Sequence, residues 1–185
     1  MTPLGAAAAI AGGATPARLA LALAAVLGLW LAGALVHAPI EAALRAAPCE
    51  GLACLRPLRP DTRHGGYSAA EFRDYLDAIW SLRGRALAGL LLDLPLVAAV
   101  ASALLLTAEL ATRDIPVNER THRLLLALPL AYATMDLGEN LLLAVAYAGL
   151  ADVAVILPWV SAMKFGTAVA SGAVSLVVAM MRALA

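Results

Sequence analysis

The sequence predicts an all-α fold: a four-helix transmembrane bundle with an amphipathic helix in its first extracytoplasmic loop. Three observations carry this. Of the 185 residues, 63% are hydrophobic and 14% charged; a soluble domain has roughly 45–50% apolar and 25% charged residues. Four apolar runs are each long enough for a bilayer, which takes about 20 residues. Ala and Leu dominate, and the period-two alternation of a membrane β-barrel does not appear. Formal net charge is zero, which gives no footing for nucleic acid. The partner implied by the composition is the lipid bilayer. The Ala/Leu/Arg bias is that of a high-GC bacterial genome, so the expected location is a bacterial inner (plasma) membrane.

Residues 1–16 are Ala/Gly/Thr/Pro-rich and aperiodic, and are expected to be a disordered tail ahead of a single four-span domain, 17–185. The first span is expected at 17–36. Ala32-Gly33-Ala34 fits a signal-peptide cleavage pattern, but the apolar run exceeds the roughly 7–15 residues of a signal peptide. Residues 38–85 form the one substantial polar segment and hold the only cysteines, Cys49 and Cys54. In an oxidising compartment these would close a small disulfide loop. They lack the second ligand pair of a zinc site.

Ser68-Ala-Ala-Glu71 is a capping box that opens an amphipathic helix over 68–83, with Phe72, Tyr75, Leu76, Ile79 and Leu82 on one face. Such a helix lies on the membrane or on the bundle top; the sharper alternative is a lid over an intramembrane site. The second span is expected at 86–106, kinked at Pro95. The third runs over 124–147, and the fourth over 153–181. The 109–123 loop has three arginines and the 149–152 loop none, which puts the termini in the cytoplasm and 38–85 outside.

The third span carries the unusual chemistry. Asp136, Glu139 and Asn140 are spaced i, i+3, i+4, so a helix sets them on one face, with Tyr132 one turn before. A charged residue at mid-bilayer costs roughly 2.5 kcal/mol or more, so a partner is expected. If spans three and four form a hairpin turning at Leu150, Asp136 lies fourteen residues before the turn and Lys164, the only lysine, fourteen after. Equal rise per residue sets them at one depth. Asp93 is seven residues inside its span and Asn140 seven from Tyr147, so Asp93 is expected to face Glu139 and Asn140. Ser161 lies beside the cluster, on a polar stripe with Lys164, Thr167, Ser171 and Ser175. Arg83 and Arg85 at the entrance could dip their guanidinium groups inward. Three carboxylates face one lysine, so the balance needs a proton, an arginine or a bound cation.

Tyr67-Ser-Ala-Ala-Glu71, Gly84-Arg85, Asp93-x-Pro95, Asp136-x-x-Glu139-Asn140 and Lys164, in that order, resemble a group of uncharacterised small bacterial four-helix integral membrane proteins. The resemblance covers about residues 67–180 and implies a four-helix fold in which these polar positions recur. It implies no activity.

Three functions compete. The first is a protein binding a lipid or small hydrophobic ligand, or an enzyme in which Asp93 or Glu139 is the general acid or base and Lys164 the counter-ion of Asp136. The second is a proton-coupled transporter or channel subunit acting as a homo-oligomer. The third is a structural or assembly subunit whose polar cluster only fixes helix packing. No Ser/His/Asp set and no zinc or cofactor motif is present, so no metal or cofactor is expected.

Overall fold

A computed structural model describes residues 2–46, 59–60, 66–113, 115 and 117–184, the side chains of 182 and 183 apart. Cys49, Cys54 and their expected disulfide lie outside the described residues. Every element among those described is helical, in the order α1 (Pro3–Gly12), α2 (Pro16–Ala46), α3 (Ala69–Ala78), α4 (Arg83–Thr112), α5 (Glu119–Tyr147) and α6 (Leu157–Leu184). A 3-10 turn, Trp80–Leu82, joins α3 to α4. Three helices are long and apolar enough to cross a membrane: α2, α4 with its leading turn, and α6. The 29-residue α5 is as long, but Asp136, Glu139 and Asn140 lower its hydropathy.

The N-terminal segment is a helix where a disordered tail is expected. Thr2 caps it, its hydroxyl accepting from Gly5 N at 3.2 Å, and Pro3 occupies the first turn. Thr15 and Pro16 repeat that pairing at the start of α2, with Arg18 N donating to Thr15 Oγ1 at 3.1 Å. Alanine has the highest helix propensity, so an Ala-rich run between two such caps folds without periodicity. The small Ala7 and Ala11 let α1 approach closely, and both are buried against Leu105 of α4 and Leu126 of α5. Arg113 fixes the α1–α2 junction by donating to the carbonyl of Ala14.

Helix α2 runs ten residues past its expected end at Val36, through Pro39 to Ala46. Good helix formers follow the proline (Glu41-Ala-Ala-Leu44), and Ile40 and Leu44 pack into the core. Between Pro16 and Pro39 no side chain of α2 is buried. Leu21, Leu27, Trp30, Leu31 and Leu35 are at least half exposed, a surface compatible with lipid and not with water. Pro95 likewise lies inside α4 without dividing it.

Helix α3 forms at the expected capping box: Glu71 N donates to Ser68 Oγ at 3.2 Å and Ser68 N to Glu71 Oε2 at 2.7 Å. It stops at Ala78, short of the expected end at residue 83, and Arg83 belongs to α4. It packs on the bundle end, burying Phe72, Tyr75 and the following Ile79 against Ile40, Leu44, Leu143, Tyr147 and Leu157. The hydroxyls of Tyr75 and Tyr147 meet at 2.9 Å. Outside, Arg73 Nη2 grips Asp152 Oδ2 at 2.8 Å. The Ala154 N–H and then the Arg73 guanidinium hold the Asp152 carboxyl below its ordinary pKa.

Helix α4 is central and touches α1, α2, α5 and α6, while α5 and α6 pair closely as a hairpin. The hairpin turns at Gly149, whose φ of +69° suits glycine. Helix α2 packs chiefly on α4. One apolar core sits at the α3 end and a smaller one under α1. The charged residues lie between them.

Candidate functional site

On α5, Asp136, Glu139 and Asn140 share one face and are all buried. Lys164 of α6 reaches them at the depth the hairpin arithmetic predicts. Its Nζ lies 2.9 Å from Asp136 Oδ1 and 2.5 Å from Glu139 Oε2. The second contact corrects the expected pairing of Glu139 with Asp93. The cause is the interleaving of two stripes: Glu139 is one turn beyond Asp136, Ser161 one turn before Lys164, and antiparallel helices bring these two together. Ser161 Oγ donates to Glu139 Oε1 and lies 2.9 Å from the Tyr67 hydroxyl. The serine has one proton, so Tyr67 donates to it in turn. Both oxygens of Glu139 are thereby occupied.

Asp93 does reach Asn140, as its depth predicts: Asn140 Nδ2 donates to Asp93 Oδ2 at 2.7 Å. Tyr132 sets its hydroxyl against Asp136 and its ring against Val97 and Ala101. The Asp136 Oδ1 atom that faces the Lys164 ammonium is closed off from solvent. Beyond Lys164, Ser171 and Ser175 continue the buried stripe of α6, and the Ser171 hydroxyl has no partner among the described residues. Thr167 instead donates to the carbonyls of its own helix.

The expected entrance arginines stay out of the cluster. Arg83 stacks on Trp80, its Cζ 3.9 Å from the ring centroid, and Arg85 is exposed. Arg83 sits on the first turn of α4, whose start at residue 83 points it to the α5–α6 turn near Gly149. Among the described residues, no three of His, Cys, Asp and Glu are grouped as metal ligands.

The cluster forms one wall of a cavity of about 670 Å³ between α2, α4 and the α5–α6 hairpin. Asp93, Tyr132, Asp136, Glu139, Asn140 and Lys164 all line it. Ser161 does not; it holds Glu139 from behind. Toward α3 the walls are His37, Glu41, Arg59, Tyr75 and Tyr147; along α2 and α4 they are apolar, with Trp30, Leu92, Leu96 and Val100. Arg59 lies 3.8 Å from Glu41.

His37, Glu41 and Arg59 are the site residues that sequence reading misses. A signal for two of them exists. Gly33, His37 and Glu41 recur at steps of four, which is one face of α2 once the helix is carried through Pro39. Gly89 makes room for the histidine: a Cβ there would sit 2.4 Å from His37 Nε2. That ring is tethered, with Nδ1 2.8 Å from the Gly33 carbonyl. Gly89→Ala is therefore expected to push α2 off α4 and to cost about 1–3 kcal/mol. Adding His37→Ala is expected to restore most of it. Thermal unfolding in detergent checks both, and an unchanged Gly89→Ala midpoint would contradict the contact.

Comparison with protein-family models, curated proteins and solved structures finds no match to this chain.

Proposed function

We propose that the chain is an integral membrane protein of four spans, α2, α4, α5 and α6, whose cavity binds a lipid or small amphipathic molecule. The carrying observation is the cavity itself: about 670 Å³, with charges on one wall and apolar side chains on another. A cluster serving only to lock helices has no need of such a space. The volume lies within the range of small-molecule sites, about 300–1,000 Å³. Membership of α5 among the spans is supported by Leu124, Leu137 and Leu141, which point outward, while its polar face is covered by α4 and α6. With the arginine-bearing loop in the cytoplasm, α3 caps the outer end. Entry is then lateral, between α2 and the α5–α6 hairpin, in the outer half of the bilayer.

The transport reading keeps one specific support. The buried serines of α6 extend the polar path past Lys164 toward the α1 end, and Ser171 is unpartnered.

Native mass spectrometry of the purified protein tests the binding reading. A copurified ligand is expected on the wild type and is expected to be lost in Leu96→Trp, which fills the cavity from α4 without touching the charges. Equal occupancy in a folded Leu96→Trp protein would sink the proposal.

A further inference from the structure

Among the described residues, the polar wall of the cavity carries more carboxylates than cations. Asp136 and Glu139 are two carboxylates served by one ammonium, Lys164, so the triad carries one negative charge that its own members leave unbalanced. The two acids are not equivalent. Glu139 takes Ser161 on Oε1 and Lys164 on Oε2. Asp136 Oδ1 lies 2.9 Å from the same lysine and is itself closed off, while the Asp136 side chain, 5% exposed, lines the cavity.

We infer that the ligand of this cavity is an amphiphile whose polar end is an ammonium group, seated on Asp136, with its tail against Leu92, Leu96 and Val100. The inference rests on the binding reading above and specifies the ligand's charge. An alkylammonium brings up to three N–H donors and the missing unit of charge. Tyr132 on the same wall and Phe165 beside Lys164 offer aromatic faces, which attract cations. Glu41, Asp93, Asp136 and Glu139 outnumber Arg59 and Lys164 among the described lining residues. A carboxylate or phosphate end would therefore meet like charge. A metal ion fits less well, since no three-ligand set is present among those residues.

The test uses the full chain in dodecyl maltoside with Trp80→Phe and Trp159→Phe. Both of those tryptophans are mostly exposed, and their removal leaves Trp30, on the cavity wall, as the only fluorescent tryptophan. Dodecylammonium, dodecanol and dodecanoate are titrated separately. Dodecylammonium is expected to bind roughly tenfold tighter than dodecanol, a difference of about 1.4 kcal/mol, and dodecanoate weakest. Asp136→Asn is expected to erase the preference for the amine while dodecanol still binds. If that variant does not fold, the wild-type order alone decides. Dodecanol or dodecanoate binding as tightly as the amine overturns the ammonium assignment and leaves the cavity reading standing. No saturable response to any of the three overturns the cavity reading itself. A second arm distinguishes the source of the ammonium. The protein is purified in equal phosphatidylethanolamine and phosphatidylglycerol and weighed by native mass spectrometry. Enrichment of the ethanolamine lipid supports a lipid headgroup; amine preference without enrichment supports a free long-chain amine.

Discussion

Replacing Lys164 with methionine is expected to destabilise the protein by about 3–5 kcal/mol, the scale seen when one partner of a buried ion pair is removed. Methionine preserves most of the side-chain length, so packing against Phe165 and α5 is largely kept and the loss reports charge. Two buried carboxylates then remain with no cation within reach on their own hairpin. The triple variant Lys164→Met/Asp136→Asn/Glu139→Gln removes all three charges together and is expected to recover most of the loss. The non-additivity is the informative quantity, because it measures coupling and not truncation. Unfolding by SDS titrated into dodecyl maltoside checks it. A Lys164→Met protein as stable as the wild type would mean that the two ion pairs do not hold α5 to α6.

Phe72→Ala is expected to cost a similar amount, about 3–5 kcal/mol, as large aromatic truncations in a core do. Phe72 is 1% exposed and lies between Tyr67 and Tyr75, with ring centroids 6.1 Å from each. The effect is expected to be local. Helix α3 has ten residues, fewer than the roughly 12–15 that a helix needs to persist alone in water. Without its anchor it melts, and the contacts of Tyr67 with Ser161 and Tyr75 with Tyr147 go with it. Hydrogen exchange is expected to accelerate over Ala69–Ala78 and to change little in α4. Unaltered protection of α3 would show that Arg73–Asp152 and the capping box suffice to hold it.

The sequence made the long helices legible because apolar runs need only length to be recognised. Their ends were less legible. Helix α2 passes Pro39 and α4 passes Pro95 because packing and the good helix formers around each proline outweigh its missing N–H. The residues before Pro16 hid a helix for a different reason: an Ala-rich segment docked through Ala7 and Ala11 has no hydrophobic contrast to read. Within the site, depth was predictable and rotation was not. Counting from Leu150 set Lys164 level with Asp136. It does not say which carboxylate the lysine's long stem also reaches, and depth alone leaves Glu139 facing Asp93. His37 and Glu41 escape sequence reading because their place depends on how α2 lies across α4, where Gly89 fits under the His37 ring.

The pairing of α5 with α6 has a consequence for the order in which the chain is made. Glu139 and Lys164 are 25 positions apart, and the acid is synthesised first. While α5 leaves the ribosome, the counter-ion of its carboxylates is still to be made, and Asn140 can offer only Asp93 a partner. The lipid phase disfavours such a helix by itself. On the four-span reading proposed above, membrane entry of α5 is tied to the emergence of α6, and the two enter as a unit whose polarity is satisfied internally. In that sense Lys164 is a late-arriving key for a helix already waiting at the membrane.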